Sequence, residues 1–299
     1  MQRDIGFWQA YTSAMQAQPE ATSLLGKPLF PTALPEADRA RMEADRAAAF
    51  EKARVEPSAE AIIWLGRRTA YLGKFREAIQ VYGGGLRLYP DDPRFYRHRG
   101  HRYISVREFD RAIADLEQAA TLIKGKPDEV EPDGQPNARN VPTSTLHTNI
   151  WYHLALARYL KADYVRAIDD WIRTRDAGKN ADNLVSATHW LYTTLCRAGR
   201  TDEATRSLAA ITPTLEVIEN GSYHSLTLLY KGLRTEAEVL NGAGTGSAAT
   251  AVRYGLSAWY LANGRRDEAI KMWQQILAGP DWPSFGHICA EADTARLGR

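Results

Sequence analysis

The stretch Tyr71-Leu72-Gly73-Lys74-Phe75-Arg76-Glu77-Ala78-Ile79 returns in altered form further along the chain, as Arg107-Glu108-Phe109-Asp110-Arg111-Ala112-Ile113. Phe75 and Phe109 stand 34 positions apart, and so do the small residues Ala78 and Ala112. Self-similarity at such a period is typical of proteins that stack one supersecondary unit many times. The chain is therefore predicted to be a repeat array in which each unit packs only against its neighbours.

Further copies of the same frame follow downstream, with one gap. They are Tyr164-Val165-Arg166-Ala167-Ile168, Gly199-Arg200-Thr201-Asp202-Glu203-Ala204 and Gly264-Arg265-Arg266-Asp267-Glu268-Ala269-Ile270. The interval between the last two copies is close to two periods, so a degenerate copy is predicted at 216–246.

Each copy has the pattern of two helices joined by a tight turn. Its first half places apolar residues at helical spacing, and a glycine or small residue then ends that helix. Acidic residues at the start of the second helix suit the positive end of the helix dipole. The alanine that follows is small because two helices cross closely there. The pattern therefore predicts an all-α chain built from helix pairs.

These residues resemble the tetratricopeptide repeat family, whose pattern places Trp, Leu-Gly, Tyr, Gly, Ala, an aromatic residue, Ala and Pro at fixed offsets. The resemblance covers 59–124, 148–212 and 250–278, and is weak at 216–246. It implies a right-handed solenoid of stacked helix–turn–helix units whose first helices line a concave, ligand-binding side. Gly83-Gly84-Gly85 departs from the pattern and should interrupt the second helix of the first clear repeat, because each glycine weakens a helix.

The flanking segments complete the predicted organisation. We predict a short helix at 7–17, a proline-rich loop at 18–34, and a helix from Pro35 to about Arg54. The predicted units are N-terminal helices with a capping half-repeat at 1–58, repeats at 59–92, 93–147 (with a long loop at 125–147), 148–184 and 185–215, a degenerate repeat with a Gly-rich linker at 216–249, a repeat at 250–279, and a C-terminal capping helix at 280–299.

Composition excludes several classes of function. The formal net charge of +2 gives no strong long-range field, so no nucleic-acid partner is predicted. No stretch approaches the roughly 18 apolar residues that a membrane span needs. Cys196 and Cys289 lie far apart, which indicates neither a disulfide framework nor a zinc site. We predict no cofactor and, by default, a soluble cytoplasmic protein; an exported form that has lost its signal peptide is the alternative.

The loop at 125–147 is the main irregularity, since loops of this length in a compact array are functional or disordered. It concentrates four carboxylates, Asp128, Glu129, Glu131 and Asp133. The preceding helix carries Arg94, Arg97, His98, Arg99, His101 and Arg102. Two readings stay open: the acidic loop folds back over this basic helix, or it is a solvated hairpin that touches nothing specific.

Polar and aromatic residues cluster on the first helices, where the family resemblance places the concave side. The predicted ligand-binding residues are Arg67, Arg97, His98, His101, Tyr152, His153, His189, Tyr223, His224 and Tyr254. Such a surface favours an anionic or polar ligand, or an acidic peptide end, over an apolar helix. Packing between repeats is the competing explanation for each residue.

Metal binding and catalysis have less support. His98 and His101 share a helix face, but the sequence fixes no third ligand, so no metal is predicted. No nucleophile is identified, so no catalytic residue is predicted and an enzyme is the less favoured reading. Two hypotheses follow. In the first, the chain is a scaffold that captures a protein or peptide segment in an open trough. In the second, it is a small-ligand receptor or an unrecognised enzyme, and the 125–147 loop closes its Arg/His/Tyr pocket. The oligomeric state stays open.

Overall fold

The computed structural model describes residues 18–298, so the predicted helix at 7–17 lies outside the described residues. Fourteen helices occur in that part of the chain. They are α1 (Glu36–Val55), α2 (Ala59–Tyr71), α3 (Phe75–Leu88), α4 (Pro93–Ser105), α5 (Phe109–Leu122), α6 (Leu146–Leu160), α7 (Tyr164–Ala177), α8 (Ala181–Arg197), α9 (Thr201–Ser207), α10 (Gly221–Tyr230), α11 (Glu236–Asn241), α12 (Gly246–Ala262), α13 (Arg266–Leu277) and α14 (Phe285–Leu297).

The predicted all-α array of helix pairs is confirmed. The pairs α2/α3, α4/α5, α6/α7, α8/α9 and α12/α13 each pack together, and each of the first three pairs contacts the next. The segment 216–246 holds the short helices α10 and α11. The segment expected as a loop at 18–34 contains a small hairpin, in which β1 (Ala21–Thr22) pairs antiparallel with β2 (Pro28–Leu29).

The turn inside each pair requires a left-handed backbone position just after the first helix. Gly73, Gly199 and Gly264 supply it with φ of 75°, 73° and 74°, and glycine adopts this conformation without strain. The equivalent residues in the second and third pairs are Arg107 and Ala162, whose φ values are 66° and 61°. A non-glycine residue in this region costs on the order of 1 kcal/mol. These two pairs therefore form the turn at a local cost.

The prediction that Gly83-Gly84-Gly85 interrupts a helix is wrong. Helix α3 runs unbroken from Phe75 to Leu88. A Cβ atom placed on Gly85 would lie 2.1 Å from the ring of the buried Phe95, the start of the next repeat. The glycine therefore lets α4 approach α3 closely, and the packing gained offsets the weak helix propensity.

Two alanine substitutions in this run should change stability in opposite directions. A Cβ on Gly83 meets only the Arg99 side chain, at 3.6 Å. Gly83→Ala should thus stabilise the protein by about 0.5–1 kcal/mol through helix propensity. Gly85→Ala should destabilise it by about 1–2 kcal/mol, because overpacking against Phe95 outweighs that gain. Urea unfolding of both variants measures the difference, and a stabilising Gly85→Ala would contradict the close approach.

The last helix does more than cap the stack. Helix α14 packs on α12 and α13, as a cap would, and also crosses the first helices of earlier pairs. The Phe285 ring lies 5.4 Å from that of His101 on α4 and 5.7 Å from that of His153 on α6. Arg296 donates a hydrogen bond to the carbonyl of Leu160 at 2.9 Å. Every residue from Gly286 to Asp293 is buried, so α14 fills the space between the first helices.

The chain segment before α14 ties both ends of the described structure together. The Trp282 indole donates to the carbonyl of Phe30 at 2.7 Å and meets the Phe75 ring edge-on at 5.6 Å. Glu291 pairs with Arg107 at 2.9 Å and accepts the backbone N–H of Leu24 at 2.6 Å. None of the described helices combines the length and apolar character that a membrane crossing needs.

Candidate functional site

The 125–147 loop is held by contacts at its base and at its far end. Val130 forms an isolated antiparallel bridge with Thr145. The Asp128 carboxylate accepts the backbone N–H of His147 at 3.0 Å, at the start of α6. Beyond the base, the hydroxyl of Thr143 donates to Glu219 at 2.6 Å, and the side-chain amide of Asn137 donates to the same carboxylate. The loop thus reaches from the end of α5 to the start of α10.

The middle of the loop folds back over α4, as the first of the two hypotheses from the sequence expected. Glu131 forms a buried ion pair with Arg97 at 2.9 Å and accepts from the Asn149 side chain at 3.1 Å. Arg68 on α2 donates to the carbonyl of Gly134 at 3.3 Å. Of the four acidic loop residues only Glu131 forms an ion pair with α4 in the described structure.

The loop borders a polar, half-enclosed cavity of about 140 Å³, here termed the arginine chamber. Its lining residues are Arg67, Ala70, Tyr71, Tyr82, Arg97, His98, His101, Arg102 and Glu131. A second space of about 180 Å³, the outer chamber, shares Arg67, His98 and Glu131 with it. The outer chamber is also lined by Glu60, Ile63, Trp64, Arg94, Glu129, Val130, Pro132 and Leu146. The two spaces are therefore neighbours, with these three side chains between them.

Positive charge in the arginine chamber exceeds negative charge. Three guanidinium groups face a single carboxylate, that of Glu131. Within residues 18–298, neither Arg67 nor Arg102 has a carboxylate at ion-pair distance. Arg67 donates to the Tyr71 hydroxyl at 3.3 Å, and Arg102 lies 5.1 Å from the centroid of the Phe75 ring. The buried Nε of Arg97 has no hydrogen-bond partner in this part of the chain.

Burial and mutual repulsion perturb the titration of these groups. Burial, together with the neighbouring Arg97 guanidinium, lowers the pKa of Arg102 to about 10, so the side chain is charged at neutral pH. Burial also holds the pKa values of His98, His101 and His153 well below the usual histidine range, assisted by the same arginines. The imidazoles are therefore neutral at neutral pH, and the positive charge comes from arginine alone.

A larger cavity of about 370 Å³ lies beyond His101, between the starts of α10, α12 and α14. Tyr223 and Phe285 line it together with His101. The His101 ring lines both this cavity and the arginine chamber, and the His153 ring lies 4.2 Å from it. Tyr152 lies beside them and hydrogen-bonds to the Trp190 indole at 2.7 Å.

The structure brings together only part of the predicted set. Arg67, Arg97, His98 and His101 line the arginine chamber, while Tyr152, His153 and Tyr223 surround Phe285 of α14. Two expectations of an inward, ligand-facing position need correction. His189 is buried against Tyr230, with its Nδ1 3.0 Å from the hydroxyl, because α10 covers it. Tyr254 is buried where its hydroxyl donates to Asp293 of α14 at 2.9 Å. The ligand-binding role of His224 stays a prediction; its Nε2 lies 2.8 Å from the Thr212 carbonyl oxygen.

Arg102 and Tyr71 line the arginine chamber, although neither is among the ligand-binding residues predicted from the sequence. Arg102 is four residues after His98 and therefore on the same face of α4, which is a signal the sequence already contained. Of the basic residues on α4, Arg94 and Arg99 are engaged elsewhere, with Asp92 at 2.6 Å and Asp115 at 2.7 Å. Arg102 is therefore the arginine of α4 that lines the arginine chamber with no carboxylate at ion-pair distance among the described residues.

Comparisons with known proteins concern the fold. No protein-family model matches the sequence, and a comparison with curated proteins gives no match either. Among solved structures, the chain is similar to YrrB, described as a tetratricopeptide repeat protein with an unusual peptide-binding site (15% identity, 81% of this chain and 95% of that one, TM-score 0.45). It is similar to a tetratricopeptide repeat protein from Parabacteroides merdae (14% identity, 80% and 87%, TM-score 0.48). A third similar structure is MamA (18% identity, 78% and 93%, TM-score 0.37).

Proposed function

We propose that this chain is a tetratricopeptide-type binding protein that encloses a polar small ligand in the arginine chamber and the outer chamber. The observation that carries the proposal is the position of α14. Its buried residues occupy the space between the first helices, where a trough for a long peptide would lie. The remaining polar space is bounded by the 125–147 loop, which is the arrangement expected of a receptor and not of an open scaffold.

The loop provides the means of enclosure. Its ion pair between Glu131 and Arg97 and its hydrogen bond from Arg68 to Gly134 fix it over the chambers. Side chains from α2, α4 and the loop converge on the same volume, so a ligand there would be surrounded by groups from three segments. A few convergent polar groups in such a concave space are typical of small-molecule sites.

Shortening the loop tests this proposal. Residues 132–141 would be replaced by Gly-Ser-Gly-Ser, which keeps Glu131 but removes the contact at Gly134. Thermal-shift screening with organic acids, sugar phosphates, nucleotides and neutral sugars should reveal a stabilising ligand for the wild-type protein. Calorimetric titration with that ligand should show at least tenfold weaker binding to the shortened variant.

Val141→Ser serves as the matched control, since Val141 is exposed at the far side of the same loop. It should bind like the wild type, and circular dichroism should show equal helix content in all three proteins. Retention of full affinity after shortening would contradict enclosure. A long peptide that binds the wild-type and shortened proteins equally would favour the scaffold instead.

A further inference from the structure

The charge of the arginine chamber identifies a ligand class. Its lining has three guanidinium groups and one carboxylate, an excess of two positive charges in a half-enclosed space of about 140 Å³. Removing an unpaired charge from water costs several kcal/mol per ion, and proteins balance such charges with a partner. Among the described residues, only Glu131 forms an ion pair with one of these guanidinium groups, and the Asp133 carboxylate interacts with Arg67 only at longer range. A bound anion would supply the rest.

We propose that the arginine chamber binds the phosphate group of a small phosphomonoester; this rests on the proposed function. A phosphomonoester carries about −1.5 to −2 charges at neutral pH, which matches the excess of two. A single carboxylate would leave one positive charge uncompensated. Arginine suits this role, because its planar guanidinium presents several donors to phosphate oxygens and stays charged when buried.

The outer chamber restricts the rest of the ligand. The carboxylates of Glu60 and Glu129 line it beside the apolar surfaces of Ile63 and Trp64. Carboxylates accept hydrogen bonds from hydroxyl groups and repel a second anion. The geometry therefore favours an organic body that bears hydroxyl groups and no second phosphate, which is the chemistry of a sugar monophosphate.

Arg102 gives the sharpest test, because it has no carboxylate partner among the described residues and contacts the Phe75 ring through its guanidinium. Arg102→Met keeps an unbranched side chain against that ring and removes the charge. The free variant should unfold at the same temperature as the wild type or higher, since a partly buried charge that is repelled by Arg97 has gone. Its affinity for glucose 6-phosphate should fall at least tenfold in calorimetric titration.

Binding of other ligands and of two further variants completes the experiment. Wild-type protein should bind glucose 6-phosphate at least tenfold more tightly than glucose, succinate or fructose 1,6-bisphosphate. Arg111→Gln, an exposed arginine paired with Glu108, should bind like the wild type. Arg102→Lys keeps the charge and should retain part of the affinity while folding normally. If Arg102→Met and Arg102→Lys both melt well below the wild type, Arg102 is structural and the proposal is overturned.

Other outcomes separate this proposal from the proposed function. Tight binding of a neutral sugar or of succinate, lost on loop shortening, would overturn the phosphate assignment and leave the enclosed site intact. A phosphoserine nonapeptide that binds more tightly than glucose 6-phosphate would replace the small ligand with a peptide. Absence of binding by every ligand class would overturn both proposals.

Discussion

Replacing Glu291 by alanine is expected to lower the free energy of unfolding by about 3–5 kcal/mol, because it leaves the Arg107 guanidinium buried without its counter-charge. The two side chains are 3% and 1% exposed, with 2.9 Å between their closest charged atoms. Carbonyl oxygens of Ser105 and Trp282 also accept from Arg107, but they carry no net charge. The backbone N–H of Leu24 would lose its acceptor as well. Equilibrium unfolding in urea measures the change.

Two further variants isolate the cause. Glu268→Ala breaks an exposed ion pair with Arg265 and should change stability little, since surface pairs contribute little. Replacing both buried partners, as Arg107→Met with Glu291→Leu, should recover most of the loss, because no unpaired charge then remains. If Glu291→Ala costs no more than Glu268→Ala, the buried pair does not hold α14 in place.

Removing residues 280–299 is expected to destabilise the chain by more than about 5 kcal/mol, since it takes away the Glu291 ion pair together with buried apolar groups such as Ile288. The truncated chain would expose Tyr254 and the aromatic residues around Phe285. We therefore expect a broadened thermal transition and increased binding of a hydrophobic dye. Unlike loss of a terminal cap, this loss should also perturb the second and third helix pairs, which α14 contacts.

A synthetic peptide of residues 280–299 provides the control for that truncation. Added to the truncated chain, it should restore a sharp transition and suppress dye binding, because its site is formed by the first helices. The same peptide with Glu291→Ala should bind more weakly, since it cannot pair with Arg107. A truncated chain that melts like the full-length protein would show that α14 contributes no stability.

The sequence predicted the helix pairs well because their signal is local and repeated. Apolar spacing, the turn glycine and the small crossing residue all lie within one copy, so each copy reports its own structure. The prediction of a helix break at Gly83-Gly84-Gly85 failed because it used propensity alone. Tertiary packing against Phe95, one repeat away, decides that segment.

The candidate site was predicted in part, for a similar reason. Arg67, Arg97 and His98 follow from the repeat frame and the side of the helix on which they lie. The burial of His189 and Tyr254 depends on α10 and α14, whose positions no local pattern encodes. One clue was present: α14 carries Ile288, Cys289 and Ala290 in succession, and a helix that is apolar on several faces is typically buried on several faces.

The ion pair between Arg107 and Glu291 of α14 constrains the number of repeats. In an open solenoid, units can be gained or lost with little effect on the others, because each contacts only its neighbours. Here the last helix returns to the second pair, and four helix pairs, α6/α7 to α12/α13, lie between the joined points. An added pair would carry Glu291 away from Arg107. The contact between α14 and the second pair therefore limits the array to its present number of pairs, and duplication of a repeat is expected to break that contact.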